Sequence, residues 1–145
     1  MRRIPAGSNA RRRTRCQAVG VTFGVLIVDD NRPFLEAARV LLEREGMRVV
    51  GVAATSAQAL RRAADLRPDV VLVDIALGGD SGFDVARRLA GHGDPAAPAV
   101  ILMSTYSEAD FADLIAQSVA TGFLPKQELS ADAIRQLVDG RARGG

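Results

Sequence analysis

The chain has no tryptophan, and only one tyrosine, one histidine, one cysteine and one lysine among its 145 residues. A single cysteine, Cys16, excludes an internal disulfide and a cysteine-rich metal site. Its place in a basic tail assigns no redox compartment. No apolar run approaches the ~18 residues of a membrane-spanning helix. The arginine-rich start lacks the apolar segment that a secretory signal carries after its charges. These absences point to a cytoplasmic protein. Neither GxGxxG nor GxxxxGK[ST] follows an apolar run, which argues against dinucleotide and P-loop nucleotide sites. With aromatics at 4% and apolar residues at 48%, the core is built from Ala, Val and Leu, as suits helices packed on a sheet. The length fits one domain with a full core.

The basic character is local. Arg2, Arg3, Arg11, Arg12, Arg13 and Arg15 fall in the first twenty residues, which contain no acid. Taking these six from the formal net charge of +2 leaves −4 for residues 21–145. A nucleic-acid footprint over the folded part is therefore not expected. Residues 1–20 read as a disordered arm. It is either a solvated tail, a segment that binds nucleic acid or an anionic surface, or the product of a start site placed upstream of a biological start near Val21.

What is present is a set of apolar runs that end in polar residues. Val70-Val71-Leu72-Val73 ends at Asp74, between Pro68 and the glycines Gly78 and Gly79. Such a run reads as a strand buried on both faces, the mark of a parallel sheet between helices. An acid at its end either caps the following turn or stands at the carboxyl edge, where open α/β sheets place ligands. Gly24–Val28 ends the same way, in Asp29-Asp30-Asn31. Arg48–Ala53 is a further strand, Ala99–Met103 leads to Ser104, and Gly122–Pro125 leads to Lys126. Between them lie helical patterns. One starts near Pro33 and stops at Gly46; a second is capped by Thr55 or Ser56 and ends before Pro68. A third runs from Phe83 to about Ala90, a fourth from Ser107 through Phe111, Leu114, Ile115 and Val119, and a fifth follows Ser130 and frays from Arg141. Five alternations predict an α/β fold with parallel strands, right-handed crossovers and helices on both faces.

One sheet edge then receives Asp29, Asp30, Asp74, Ser104 and Lys126. Converging carboxylates repel and need a cation. A hard divalent ion such as Mg²⁺ suits oxygen ligands on an open edge. With a hydroxyl and an ammonium nearby, the edge fits the oxygens of a phosphoryl group, and a carboxylate can be the nucleophile that takes it. Lys126 is the chain's one lysine beside eighteen arginines, which suggests a compact charge where a planar fork does not fit.

From about Val25 to Leu137 the chain resembles the receiver domain of bacterial two-component response regulators. The resemblance rests on the acid pair, the third-strand Asp, the fourth-strand hydroxyl and the fifth-strand Lys. Their spacing agrees: 44 residues from Asp30 to Asp74, 30 to Ser104, and 52 from Asp74 to Lys126. It implies a flavodoxin-like (βα)5 doubly wound sheet of strand order 2-1-3-4-5. It implies Asp74 as phosphoacceptor, and Asp29, Asp30, Asp74 and the Ala76 carbonyl as ligands of Mg²⁺ or Mn²⁺. Ser104 and Lys126 would bind phosphoryl oxygens, and Ser104 with Phe123 would form the switch, although Phe123 reads equally as a core residue. Ala76 and Tyr106 match the positions that tune acyl-phosphate lifetime. Ala76 offers no base, so slow self-dephosphorylation is expected.

There are departures from the pattern. Gly78 stands where proline is common, Thr105 where a smaller residue is usual, and Gln127 where proline often follows the lysine. His92, in a Gly/Pro stretch, reads as a surface residue. The resemblance implies a histidine kinase or phosphotransfer protein as partner, and a downstream protein target or an output domain absent from this chain. DNA binding by this chain alone is not expected. Two other readings stand beside it: a receiver-like interaction module working without phosphorylation, and an aspartyl-phosphate hydrolase. Dehalogenase-like phosphatases place a second acid two residues after the nucleophile, where this chain has Ala76.

Overall fold

The structure is a computed structural model, and it describes residues 24–77, 80–90, 97–105, 112–118 and 120–144. The expectations for the basic arm 1–20, Gly78, His92, Tyr106, Ser107, Phe111 and Val119 fall outside those residues.

Five parallel strands form the sheet: β1 (Gly24–Val28), β2 (Arg48–Ala53), β3 (Val70–Asp74), β4 (Ala99–Ser104) and β5 (Gly122–Pro125). Their order is β2-β1-β3-β4-β5, the expected flavodoxin-like arrangement. Helices α1 (Arg32–Arg44), α2 (Ser56–Leu66), α3 (Gly82–Leu89), α4 (Ala112–Gln117) and α5 (Ala131–Gly144) connect and follow the strands. β1, β3 and β4 are buried at every position, which is why they read as continuous apolar runs.

Successive residues of each strand serve opposite faces. Val25, Ile27, Val70, Leu72, Ile101 and Met103 pack with Leu35, Ala38 and Leu42 of α1 and Ile134 of α5. Leu26, Val28, Val71, Val73, Val100 and Leu102 pack with Ala59 of α2 and Val85, Ala86 and Leu89 of α3. Each fully buried aliphatic side chain here contributes about 1.5–3 kcal/mol over an exposed one. That double-sided core fixes the register, and the register fixes the edge: Val28 lies opposite Val73, Asp74 opposite Met103, and Ser104 opposite Pro125.

The helix caps follow the sequence. Thr55, rather than Ser56, caps α2, its hydroxyl accepting from the Gln58 N–H at 3.1 Å. Ser130 accepts from the Ala133 N–H at 3.0 Å at the start of α5. Gly46, just beyond α1, adopts φ +87°, a left-handed turn that glycine enters without steric cost.

Three expectations are corrected. α3 covers Gly82–Leu89, one residue earlier than read, because Ser81 accepts from the Phe83 N–H at 3.1 Å and so sets the start. Beyond β3, where Gly78 and Gly79 read only as the end of the apolar run, Ala76–Leu77 and Asp80–Ser81 pair as a short antiparallel hairpin. α5 runs to Gly144 instead of fraying at Arg141. Arg and Ala favour helix strongly enough to carry it past Gly140, whose own cost is about 1 kcal/mol.

Candidate functional site

The carboxyl edge brings the predicted residues together. Asp29 follows β1 and is fully buried, Asp30 is exposed, and Asp74 ends β3 at 8% exposure. One carboxylate oxygen from each lies within 4.8 Å of the other two. Lys126 reaches over from the turn after β5. Its Nζ is 2.5 Å from Asp29 Oδ2 and 3.2 Å from Asp74 Oδ2, and its side chain is 9% exposed. Ser104 is buried at the end of β4, in the strand between β3 and β5.

Backbone donors organise the acids. The Asn31 N–H donates to Asp29 Oδ1 at 2.9 Å, and the Asn31 side chain caps α1 by accepting from the Phe34 N–H at 3.1 Å. One oxygen of Asp29 thus orders the start of α1 while the other faces the ammonium. That second oxygen is enclosed and lies 2.5 Å from the ammonium, its partner in a buried ion pair. The Ala76 N–H donates to Asp74 Oδ1 at 3.2 Å.

The electrostatics follow from this crowding. Burial pushes the Asp74 carboxyl above its ordinary range and the charge of Asp29 adds to the rise; the Ala76 N–H and Lys126 offset part of it. Burial alone would lower the Lys126 ammonium, but hydrogen bonding and charge from Asp29 and Asp74 outweigh it and hold the group above its ordinary value. The acids and the lysine are therefore a strained cluster of like charges with one fixed cation. Three convergent carboxylates, the buried Asp29 among them, offer the all-oxygen donor set that a hard divalent ion takes.

The remaining predicted residues are placed as follows. Phe123 is buried, packed with the face that holds Val100 and Leu102. Ala76 is exposed beside Asp74, as is Thr105 beyond Ser104. Two residues of the site were not singled out from the sequence. Phe34 places its ring under the Lys126 ammonium, 4.6 Å from Nζ to the ring centre. Gly82 lies against the backbone of the acid: a Cβ there would sit 2.1 Å from the Asp74 carbonyl oxygen. The Gly82 N–H donates to the Ile75 carbonyl at 2.7 Å, which closes the hairpin back onto β3. The only sequence signals were an aromatic in the first turn after the acid pair and a glycine eight residues beyond Asp74.

The fold and site define a doubly wound α/β protein whose carboxyl edge joins an acid triad to one lysine. The chain belongs to the response regulator receiver domain family, whose model matches residues 25–139. It is 33% identical over 121 residues to the response regulator GacA of Pseudomonas aeruginosa, covering 81% of this chain and 56% of that protein. It spans 24% of a protein-glutamate methylesterase/protein-glutamine glutaminase of Myxococcus xanthus and 60% of the transcriptional regulatory protein YvfU of Bacillus subtilis. Its structure superposes on the signal receiver domain of a modulated diguanylate cyclase from Desulfovibrio desulfuricans with TM-score 0.69 and 32% identity, over 86% of this chain and 96% of that one. A response regulator from Burkholderia pseudomallei, solved with a phosphorylated aspartic acid, calcium ion and citrate, matches with TM-score 0.69 and 25% identity over 83% of this chain and 69% of that one.

Proposed function

We propose that this domain is a phosphorylation-controlled switch of a two-component system, with Asp74 as the phosphoacceptor. The observation that carries the reading is Asp74 itself: a buried carboxylate at the end of β3, 3.2 Å from the Lys126 ammonium and grouped with Asp29 and Asp30. In the transfer, an oxygen of Asp74 attacks phosphorus and forms an acyl phosphate, while the bond to the donor imidazole nitrogen of a histidine kinase or phosphotransfer protein breaks. Lys126 and the Ser104 hydroxyl bind the phosphoryl oxygens. Asp29, Asp30, Asp74 and the Ala76 carbonyl would hold Mg²⁺ or Mn²⁺, which would supply neutralising charge for the transferred group. The phosphorylated aspartic acid reported for the Burkholderia relative supports an aspartate as the acceptor.

The output is a shift in population. Ser104 and Phe123 stand on β4 and β5, so a change at the phosphoryl site reaches the surface around these strands and their helices. A downstream protein target or an attached output domain reads that change, in keeping with relatives longer than this chain. As the partner of such a kinase the domain acts in the cytoplasm. It is a switch and not a turnover enzyme, because Ala76 supplies no general base beside Asp74. Its acyl phosphate therefore decays slowly.

The test is intact-protein mass after incubation with Mg²⁺ and acetyl phosphate. The parent gains about one phosphoryl unit and the Asp74→Asn variant gains none. An unmodified parent that still binds Mg²⁺ would replace this reading with that of an interaction module working without phosphorylation.

A further inference from the structure

The Lys126 ammonium has three N–H bonds to place, at the end of a side chain that is 9% exposed. Two directions end on Asp29 and Asp74, at 2.5 and 3.2 Å. The third side of the group is covered by the ring of Phe34, 4.6 Å from Nζ to its centre. Phe34 is held there from both ends. Its N–H donates to the Asn31 cap, which is itself tied to Asp29, and its ring packs against the core face shared by α1 and α5. The carboxylate that attracts the ammonium therefore also sets, through Asn31, the ring beneath it.

We propose that Phe34 is a positioning residue for Lys126, holding its ammonium over the acid cluster in readiness for a phosphoryl oxygen; this rests on the reading of Asp74 as phosphoacceptor. The choice of an aromatic has a physical reason. A desolvated cation needs compensation, and a carboxylate or carbonyl in this place would bind it through a directed hydrogen bond. A ring face attracts the charge without such a bond. The N–H bonds stay free to turn from the carboxylates to the incoming phosphoryl group. A compact ammonium fits between two acids and a ring, which gives the chain's one lysine its reason for not being arginine.

Because there is one lysine, protein labelled with ¹³C,¹⁵N-lysine shows a single side-chain spin system, and the contact is read directly without Mg²⁺. The Lys126 Hε protons are expected upfield of free lysine in the parent, at free-lysine positions in Phe34→Leu, and upfield again in Phe34→Tyr. With acetyl phosphate and Mg²⁺, Phe34→Leu is expected to slow phosphorylation by about threefold to tenfold, and Phe34→Tyr to restore it. In a Lys126→Met background, or Lys126→Arg if that reacts too slowly to follow, Phe34→Leu is expected to add nothing. Equal slowing in both backgrounds, or an Hε shift unchanged in Phe34→Leu, overturns the proposal while leaving Asp74 as acceptor. A parent that takes no phosphoryl group fails the underlying reading instead, and the proposal with it.

Discussion

Asp69, at the amino edge of the sheet, and Asp74, at the carboxyl edge, bracket β3. Asp69 is bound into the framework on every side: its carboxylate accepts from the Gly24 N–H at 2.8 Å, its own N–H donates to the Gly24 carbonyl at 2.8 Å, and its carbonyl accepts from the Ala99 N–H at 3.0 Å. It ties β1, β3 and β4 at their starts. Asp74 ends the same strand facing two other acids, with one lysine shared between it and Asp29. The same residue type thus relieves strain at one edge and accumulates it at the other. Buried like charges gathered at a strand end, with a lone cation, are what a ligand can relieve, and this separates a site from a staple.

The largest expected difference between the edges is chemical. Asp74→Asn should abolish phosphorylation by acetyl phosphate, whereas Asp69→Asn should leave it intact, as read by intact-protein mass. Loss in both variants would break the division. Next in size is Gly82→Ala, whose methyl group would meet the Asp74 carbonyl at 2.1 Å and Ile75 Cα at 2.8 Å. The hairpin must move to admit it. A loss of about 2–4 kcal/mol in urea unfolding, with slowed phosphorylation, is expected. A change below about 0.5 kcal/mol would show that the close backbone approach does not constrain the acid. Smaller again is Asp69→Ala. It leaves the Gly24 N–H without its acceptor and should cost about 1–3 kcal/mol, with the phosphorylation rate of folded protein unchanged. A slowed rate without lost stability would move Asp69 into the working part of the molecule.

How much of this was legible in the sequence depends on the kind of signal. Asp29, Asp30, Asp74 and Lys126 were legible because each ends an apolar run, and a parallel sheet carries all such ends to one edge. Ser104 was legible for the same reason, and the strand order followed from the resemblance. Phe34 was hidden because its helical spacing marks it equally as core, and only the structure shows a ring face turned to an ammonium. Gly82 was one of several glycines after β3, and the contact that demands it comes from folding the hairpin onto Asp74. α5 reads as fraying from Arg141, whereas the structure carries it to Gly144, since helix-favouring residues on both sides offset the cost of Gly140. Period and strand ends are local and readable; contacts made by a turn folding back are not.

The smallest effect is the most direct reading of the strain itself. Burial first, and Asp29 second, raise the Asp74 carboxyl above its ordinary value of 3.8. A carboxyl raised on folding adds stability that is fully present below its unfolded pKa and is lost as pH rises through the folded one. At neutral pH, without a divalent ion, the charged Asp74 is therefore a net cost to the fold. Asp74→Asn removes that charge and keeps the shape, and Lys126 retains Asp29 at 2.5 Å as its partner. In EDTA at pH 7.5 the variant should melt a few degrees higher than the parent, the size expected of about 1 kcal/mol in a domain of this length. The gap should narrow as pH falls toward 3.8, because the parent then gains the proton that the amide makes unnecessary. Asp69→Asn, which replaces a hydrogen-bonded staple, should show no such stabilisation at pH 7.5. A variant at Asp74 that melts below the parent at pH 7.5 would mean that the lysine contact outweighs burial and the neighbouring acid, and that the two ends of β3 differ less than their surroundings suggest.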